Sequence, residues 1–350
     1  MNFQQIDYIK NDCKEVVEGN IHALKKLKGQ SIFISGASGF MGKWVIEIIN
    51  YLNENYDFNT CVFAHASSVT DEAEIYPSIY NNDLIVLIDG DIKNITEIDP
   101  FVSYVLHLAS SPDNRVYSSD PIKGVKDIIK GTEKILAASF RLENLLNFTL
   151  LSSGMVYGPI PFTKDYIAED SFFGFDSSSL SSFYPEAKRI SESFVQAYRA
   201  QYKMPVTIFR PFAFIGPYQH IDRPWAINNF IRDGLRGEPI RIIGDEDTVR
   251  SYMYPSEMAL WVLLGMLNQS GDNIFNLGSS DGRSIRQIAE KVEKSFGGNT
   301  GLSVNVPPNN SSKSKFVPSV EKFEQLFNLK LKINTEEAIK KTIEWHRLGH

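Results

Sequence analysis

Apolar positions along this chain switch repeatedly between two spacings. Short runs such as Ile32-Phe33-Ile34 read as buried strands, and the stretches after them repeat apolar residues every three or four positions, as one helical face requires. The first such pair is residues 31–35, followed by a helix carrying Met41, Trp44, Val45 and Ile48. Residues 60–66, 84–88, 104–108 and 145–151 supply four more strand-like runs. Residues 122–139, and the stretch from Glu186 through Ile190, Phe194 and Ala197, supply strong helical patterns. Strands alternating with helices predict an α/β fold with a parallel, doubly wound sheet. Ahead of the first strand, Ile6, Ile9, Cys13, Val16 and Val17 form a helical stripe, closed by the cations of Lys25-Lys26-Leu27-Lys28. Residues 1–29 are therefore expected to be a helical extension packed on the sheet edge. The Ser-rich stretch 176–182 reads as a loop leading into a helix.

Between the first strand and its helix lie Gly36, Gly39 and Gly42. A strand, a glycine turn and a helix, in that order, suit a dinucleotide phosphate site. Gly36 permits the tight turn, Gly39 lets a pyrophosphate approach the backbone, and Gly42 lets helix and strand pack closely. The free N–H groups at the helix start then face the phosphates. The end of the second strand, His65-Ala66-Ser67-Ser68, shows neither the acid that would hold an NAD ribose nor an Arg for NADP, so both cofactors stay open.

Bulk properties narrow the picture further. The 350 residues allow one large domain or two. A formal net charge of −6, with no long basic run, argues against a nucleic-acid partner. Two cysteines, Cys13 and Cys61, provide no disulfide framework and no metal-ligand spacing. The longest apolar run, near 258–267, is too short to span a bilayer, and no apolar signal segment stands at the N-terminus. A cytoplasmic protein with no membrane partner is the expectation.

The catalytic signal follows the fifth strand. Ser152-Ser153-Gly154-Met155-Val156-Tyr157-Gly158 comes first, then Tyr184-Pro185-Glu186-Ala187-Lys188 some thirty residues on. Tyr184 and Lys188 are four apart and share a helix face. A phenol titrates near ~10 unperturbed, too high for a base at neutral pH. A nearby ammonium and a cationic nicotinamide would favour the phenolate. Ser153 at the strand end would bond and orient a substrate hydroxyl.

The glycine turn, the strand-end Ser and the YxxxK pair together resemble the extended short-chain dehydrogenase/reductases, the NAD-dependent epimerase/dehydratase branch that modifies nucleotide sugars. The resemblance implies a Rossmann-type sheet over residues 30–215. It also implies a smaller C-terminal α/β substrate-binding unit over 216–350, with 251–280 returning to the Rossmann part. It further implies cofactor contacts at Gly36, Ser38, Gly39, Phe40, Met41, Gly42, Asp91, Ile92, Leu108, Ala109, Ser110, Tyr184, Lys188 and Pro211, with NAD or NADP as cofactor. Substrate contacts carried over are Ser153, Gly154, Asn229, Arg241 and Arg250. Arg250 stands in Arg250-Ser251-Tyr252-Met253-Tyr254, similar to the family run whose Arg binds the substrate diphosphate. Ser153, Tyr184 and Lys188 are the implied catalytic set, no metal is implied, and a homodimer through helices 122–139 and 186–201 is expected.

Two departures bear on the reaction. The family's 4,6-dehydratases carry carboxylates in the two positions after the strand-end Ser or Thr, and its decarboxylases keep a Glu at the second. Here those positions are Gly154 and Met155. Glu169, Asp170 or Asp176 would have to substitute from a loop. The family's Asn in the segment after Arg210 is Ala213, and its NVxGT run reads Ile128-Ile129-Lys130-Gly131-Thr132. The expected activity is epimerisation of a nucleotide sugar through a 4-keto intermediate, with Tyr184 as base. An NADPH-dependent 4-keto-sugar reductase and an atypical dehydratase are the alternatives.

Overall fold

The computed structural model describes residues 1–110, 119–271, 273–298, 300–305 and 313–349. Seven parallel strands form its main sheet, in the spatial order β3 (Ile85–Asp89), β2 (Cys61–Ala66), β1 (Ser31–Ser35), β4 (Tyr104–His107), β5 (Asn147–Leu151), β6 (Val206–Pro211) and β9 (Ile274–Leu277). The central strands β4 and β5 are buried at every position, which is why they read as unbroken apolar runs. Chain order reverses at β1, whose neighbours are β2 and β4. The carboxyl ends of β1 and β4 therefore flank the crevice where open α/β sheets bind ligands.

Both faces of the sheet are covered. On one face, α4 (Pro121–Ser139) and α5 (Phe183–Tyr202) bury Ile135, Leu136 and Val195 against Phe148, Leu150 and Ile208. On the other, α2 (Phe40–Tyr56) packs beside α7 (Pro255–Met266). Every residue of α7 is buried, so it needs cover on both sides. That cover is α1 (Phe3–Glu18), which lies on α2 and α7. The extension thus packs over a helical layer and not on the sheet edge. Its stripe of Ile9, Cys13, Val16 and Val17 finds its apolar partner in the outer side of α7.

A second core sits beside the sheet. It joins α6 (Ala226–Leu235), α8 (Ile285–Ser295) and α10 (Thr335–Arg347) around Ile227, Phe230, Ile240, Ile288, Val292, Ile339 and Ile343. Its strands are short: β7 (Ile240–Ile243) pairs with β11 (Leu302–Asn305), and β8 (Val249–Arg250) lies between β10 (Arg283–Ser284) and β12 (Lys315–Phe316). The division between the two units is not a single cut in the chain. Helix α9 (Glu321–Phe327) stacks Phe323 on Trp261 of α7, in the main core, although it follows most of the second unit in sequence. Among the described residues no helix is long and apolar enough to cross a membrane.

Candidate active site

The glycine turn opens directly onto the crevice. Gly36 has φ +74°, and a Cβ there would come within 2.9 Å of the Ala109 backbone, so β1 and β4 approach as closely as they do only because Gly36 has no side chain. A Cβ on Gly42 would lie 2.6 Å from the Ala37 carbonyl, inside the helix–turn contact. Gly39 differs from both. It caps α2 with no side-chain hydrogen bond, and its only close neighbour would be the Gly36 carbonyl at 3.2 Å. It is exposed, with Ser38, Phe40 and Met41 half-buried around it. The first N–H groups of a helix have no intrahelical partner, so the turn offers backbone donors beside an exposed glycine. With no side chain at Gly39 to cover these donors, the cradle fits a dinucleotide pyrophosphate.

Along the rest of the crevice, Leu108 N–H donates to the Ser35 carbonyl at 3.0 Å, and Ala109 N–H lies 3.4 Å from Ser35 Oγ. Ile92 packs over Gly131 of α4, where a Cβ would be 2.9 Å from Ile92 Cγ2. Asp91 is exposed, accepts from Lys93 N–H at 2.9 Å and pairs with the Lys93 ammonium at 3.3 Å. Asp89 at the end of β3 had no assigned part in the sequence reading. Its carboxylate accepts from Val69 N–H at 2.6 Å and Thr70 N–H at 3.1 Å, capping the helix α3 (Val69–Ile75) that follows β2. Pro211 ends β6, half-buried.

At the ends of β4 and β5 the catalytic candidates meet. The Tyr184 hydroxyl shares hydrogen bonds with both Ser153 and Ser110. Burial raises the phenol pKa, and those two hydrogen bonds act against the rise. Tyr184 lies in the first turn of α5, which starts at Phe183 and not at Glu186. Pro185 is tolerated there because a first-turn N–H has no helical acceptor to lose. Lys188, one turn on and buried, donates from Nζ to the Leu151 carbonyl at 2.8 Å. Burial pulls its ammonium down to about 8, with Glu192 resisting the shift. Ser153 Oγ accepts from Met155 N–H at 3.1 Å, which fixes its rotamer at the strand end.

A buried polar chain underlies this site. Ser35 Oγ lies 2.7 Å from His107 Nδ1, and His107 Nε2 lies 3.3 Å from Thr132 Oγ1, which is 3.0 Å from Ser191 Oγ. It ties β1, β4, α4 and α5 together. Burial first, then the Lys188 charge, lowers His107 to about 3, so it is neutral and structural. Single residues in sequence carried no signal for this chain, because its members come from four separate elements.

Gly154 is walled in. A Cβ there would meet the Phe212 ring at 2.8 Å and the Phe316 ring at 2.9 Å, and those two rings lie 4.4 Å apart. Phe316 comes from β12, far along the chain, so this contact was not legible in sequence. Two of the three loop carboxylates are engaged elsewhere. Glu169 Oε1 accepts from Asn276 N–H at 2.9 Å, and Asp176 accepts from Ser178 N–H at 2.9 Å. Asp170 is exposed.

The three substrate candidates of the second unit have different partners. Arg241 binds the fully buried Asp233 through Nε at 3.1 Å and Nη2 at 2.6 Å, a pairing that accounts for its charge without a ligand. Asn229 Oδ1 accepts from Arg232 at 2.8 Å. Arg250 is different. Its guanidinium donates to the Val249 carbonyl at 2.8 Å and to Ser314 Oγ at 2.9 Å, with no carboxylate partner among the described residues. Burial lowers its pKa from the usual Arg value.

Comparison with known proteins agrees with this fold. UDP-glucuronic acid decarboxylase 2 of Arabidopsis thaliana is 24% identical over 92% of this chain and 69% of its own length. UDP-N-acetyl-alpha-D-glucosaminuronate decarboxylase of Bacillus cytotoxicus is 25% identical over 90% of this chain and 97% of its own. The structure of a UDP-glucose 4-epimerase of Thermotoga maritima with UDP-glucose superposes with a TM-score of 0.75 at 21% identity, over 91% of this chain and 99% of that one, which shows a shared fold. The sequence profile of the NAD dependent epimerase/dehydratase family matches residues 32–278, from β1 to the end of β9. The chain is an enzyme of the NAD dependent epimerase/dehydratase family, and NAD is its cofactor type.

Proposed function

We propose that this protein epimerises a nucleotide-activated sugar at C4. The observation that carries the reading is the contrast at the end of β5: Ser153 touches Tyr184, while Gly154 beside it is closed off by Phe212 and Phe316. Tyr184 and Ser153 can take and orient the proton of a sugar hydroxyl. No carboxylate fits at position 154, Met155 transfers no proton, and Glu169 and Asp176 have other partners. Elimination and decarboxylation therefore lack the carboxylates that the family places after the strand-end Ser, although several relatives are named as decarboxylases.

Each residue then has a stated task. Tyr184 removes the proton from the C4 hydroxyl, and Ser153 holds that oxygen. Lys188 keeps a positive charge one helical turn from the phenol, favouring the phenolate. A dinucleotide on the Gly36–Gly42 turn would supply the hydride acceptor and then the donor. The 4-keto sugar turns over between these steps, and Tyr184 returns the proton. Arg250 binds the diphosphate, its guanidinium suiting two phosphate oxygens at once.

NAD is favoured over NADP. The cations near the adenosine end are paired: Lys43 with Glu72 at 2.6 Å, and Lys93 with Asp91 and Asp127. Asp89, level with Ala66 at the end of β2, adds a carboxylate where this fold holds an unphosphorylated ribose, which disfavours a 2′-phosphate. Assembly as a homodimer through α4 and α5 is supported by exposed Ile122, Phe140, Ile190 and Tyr202 on those helices or at their ends. Sedimentation at micromolar concentration checks it, a monomer contradicting it. The reaction is tested by incubating the enzyme with a panel of nucleotide sugars and following added NADH and NADPH. Epimer formation without net cofactor use supports the reading, and one reduced cofactor consumed per product would replace it with the reductase.

A further inference from the structure

Helix α1 takes no part in the chemistry above, yet it touches both cores. Its apolar stripe is buried in the main core. Its polar side meets α10, which packs Ala338, Ile339 and Ile343 into the second core. Five side-chain links cross that seam among the described residues, one of them Lys341 Nζ at 3.7 Å from Glu15 Oε2. Asn2 donates to the Leu348 carbonyl, Gln5 to the Trp345 carbonyl at 3.3 Å, Tyr8 to Glu344 at 3.0 Å, and Lys341 Nζ lies 2.8 Å from Asp12 Oδ1.

Asp12 carries a further link. Its second oxygen accepts from the Tyr254 hydroxyl at 2.6 Å. Asp12 is 1% exposed and Tyr254 is wholly buried, so neither has water to fall back on. Tyr254 is the last residue of the segment that begins with Arg250. That segment runs extended along residues 213–215, with Met253 N–H on the Ala213 carbonyl at 3.0 Å and Ile215 N–H on the Met253 carbonyl at 3.3 Å. It then enters α7, for which Tyr254 is the N-terminal cap residue. The segment is thus the bridge from the second unit back to the sheet, and one end of it is pinned from outside by α1.

We propose that α1 clamps the second unit to the sheet, and that Asp12 is a positioning residue for Arg250, acting through Tyr254 and Lys341. The proposal rests on the reading of Arg250 as the diphosphate cation. Both of those hydrogen bonds to residues 213 and 215 fall on Met253, between the pinned Tyr254 and Arg250, so a shift at Tyr254 reaches Arg250 along a short stretch of backbone. Releasing Tyr254 frees the end of the segment and lets Arg250 drift from the geometry a diphosphate needs.

The test compares Asp12→Ala, Asp12→Asn, Tyr254→Phe and the Asp12→Ala/Tyr254→Phe double variant in the full-length enzyme. Affinity for UDP and dTDP is read by calorimetry, bound dinucleotide by absorbance, and amide exchange by mass spectrometry. Diphosphate affinity is expected to fall about tenfold in Asp12→Ala and Tyr254→Phe, the size of one buried charge-assisted hydrogen bond. Asp12→Asn, which keeps an acceptor for Tyr254, should lose less. The double variant should be no weaker than the worse single one, because both break one link. Exchange in residues 249–254 should speed up while β1, β4 and β5 stay protected and dinucleotide content holds. Wild-type affinity and exchange with only a lower melting temperature would overturn the clamp, as would dinucleotide lost in step with the diphosphate. If Arg250→Ala leaves diphosphate affinity unchanged, the reading of Arg250 fails, and the exchange at 249–254 still judges whether α1 pins the segment.

Discussion

The Tyr184 end and the Arg250 end of the proposed substrate path are held in opposite ways. Ser153, Ser110, Tyr184 and Lys188 sit at the ends of long buried strands or on a helix packed across them, and their polar atoms bond within the site. Arg250 sits on a strand of two residues, between two others just as short, and leans on Ser314. A deep sheet fixes geometry through its own hydrogen-bond ladder. A three-stranded scrap does not, and needs props from elsewhere. On the proposed roles, chemistry is built into the main sheet, while recognition depends on the seating of a second, smaller unit.

Tyr184→Phe breaks the first end and should have the largest effect. It keeps the ring's packing and removes the hydroxyl, so turnover should fall by roughly 10²–10⁴-fold, the usual contribution of a positioned acid–base group. Cofactor retention, read by absorbance of the purified protein, should hold. Near-normal turnover would remove Tyr184 from the mechanism. Gly39→Val separates the cofactor cradle from both ends. The added side chain projects into the cradle while its backbone φ of −75° suits any residue, so dinucleotide should be lost with the fold retained by circular dichroism. Unchanged cofactor affinity would contradict the cradle.

At the second end, Arg250→Ala and Arg241→Ala form a matched pair. The first should raise KM for a nucleotide sugar by roughly 10–100-fold, the range for losing a charged hydrogen-bonding partner. The second should leave KM nearly unchanged and lower the urea midpoint, because it strands the buried Asp233. The reverse ordering would exchange their roles.

A pH effect sharpens the view of the sheet end as rigid. His107 is held neutral down to about 3, against 6.5 for an ordinary His. Between those values the unfolded chain binds a proton that the native state does not, so stability rises with pH across that window and is lost on acidification from about 6.5. His107→Asn should flatten this dependence in urea titrations at pH 4–7, by up to about 1.4 kcal/mol per pH unit, the limit for one proton. A parallel pair of curves would show that His107 titrates normally. The smallest effect belongs to Met155→Ala. Its side chain is half-buried against Tyr184 and has no proton to give, so a loss of a few-fold at most is expected from packing alone. A drop comparable with that of Tyr184→Phe would assign it a role in catalysis.

Sequence legibility follows the same division. Strand β1, the glycine turn and α2 are contiguous, so spacing alone placed them, and Tyr184 and Lys188 are linked by helical period. Their meeting with Ser153 was legible because parallel strands put their carboxyl ends on one side. By contrast, the wall over Gly154 joins residues 212 and 316, and the His107 chain joins 35, 107, 132 and 191, with no local pattern to announce either. Arg241 stood in a run like that of a substrate contact, and Asp233 eight residues earlier is what engages it. The extension was legible as a helix, but its place was not: which surface it covers depends on α7, some 240 residues on, being buried all round.

The most direct measurement is the reaction run in D₂O with a convertible nucleotide sugar, the product analysed by NMR and the headspace for carbon dioxide. Hydride return at C4 through Ser153, Tyr184 and Lys188 predicts a C4 epimer with no deuterium on any ring carbon and no gas released. Deuterium at C5, or carbon dioxide in step with product, would contradict it, since either requires an acid–base group that the wall around Gly154 excludes.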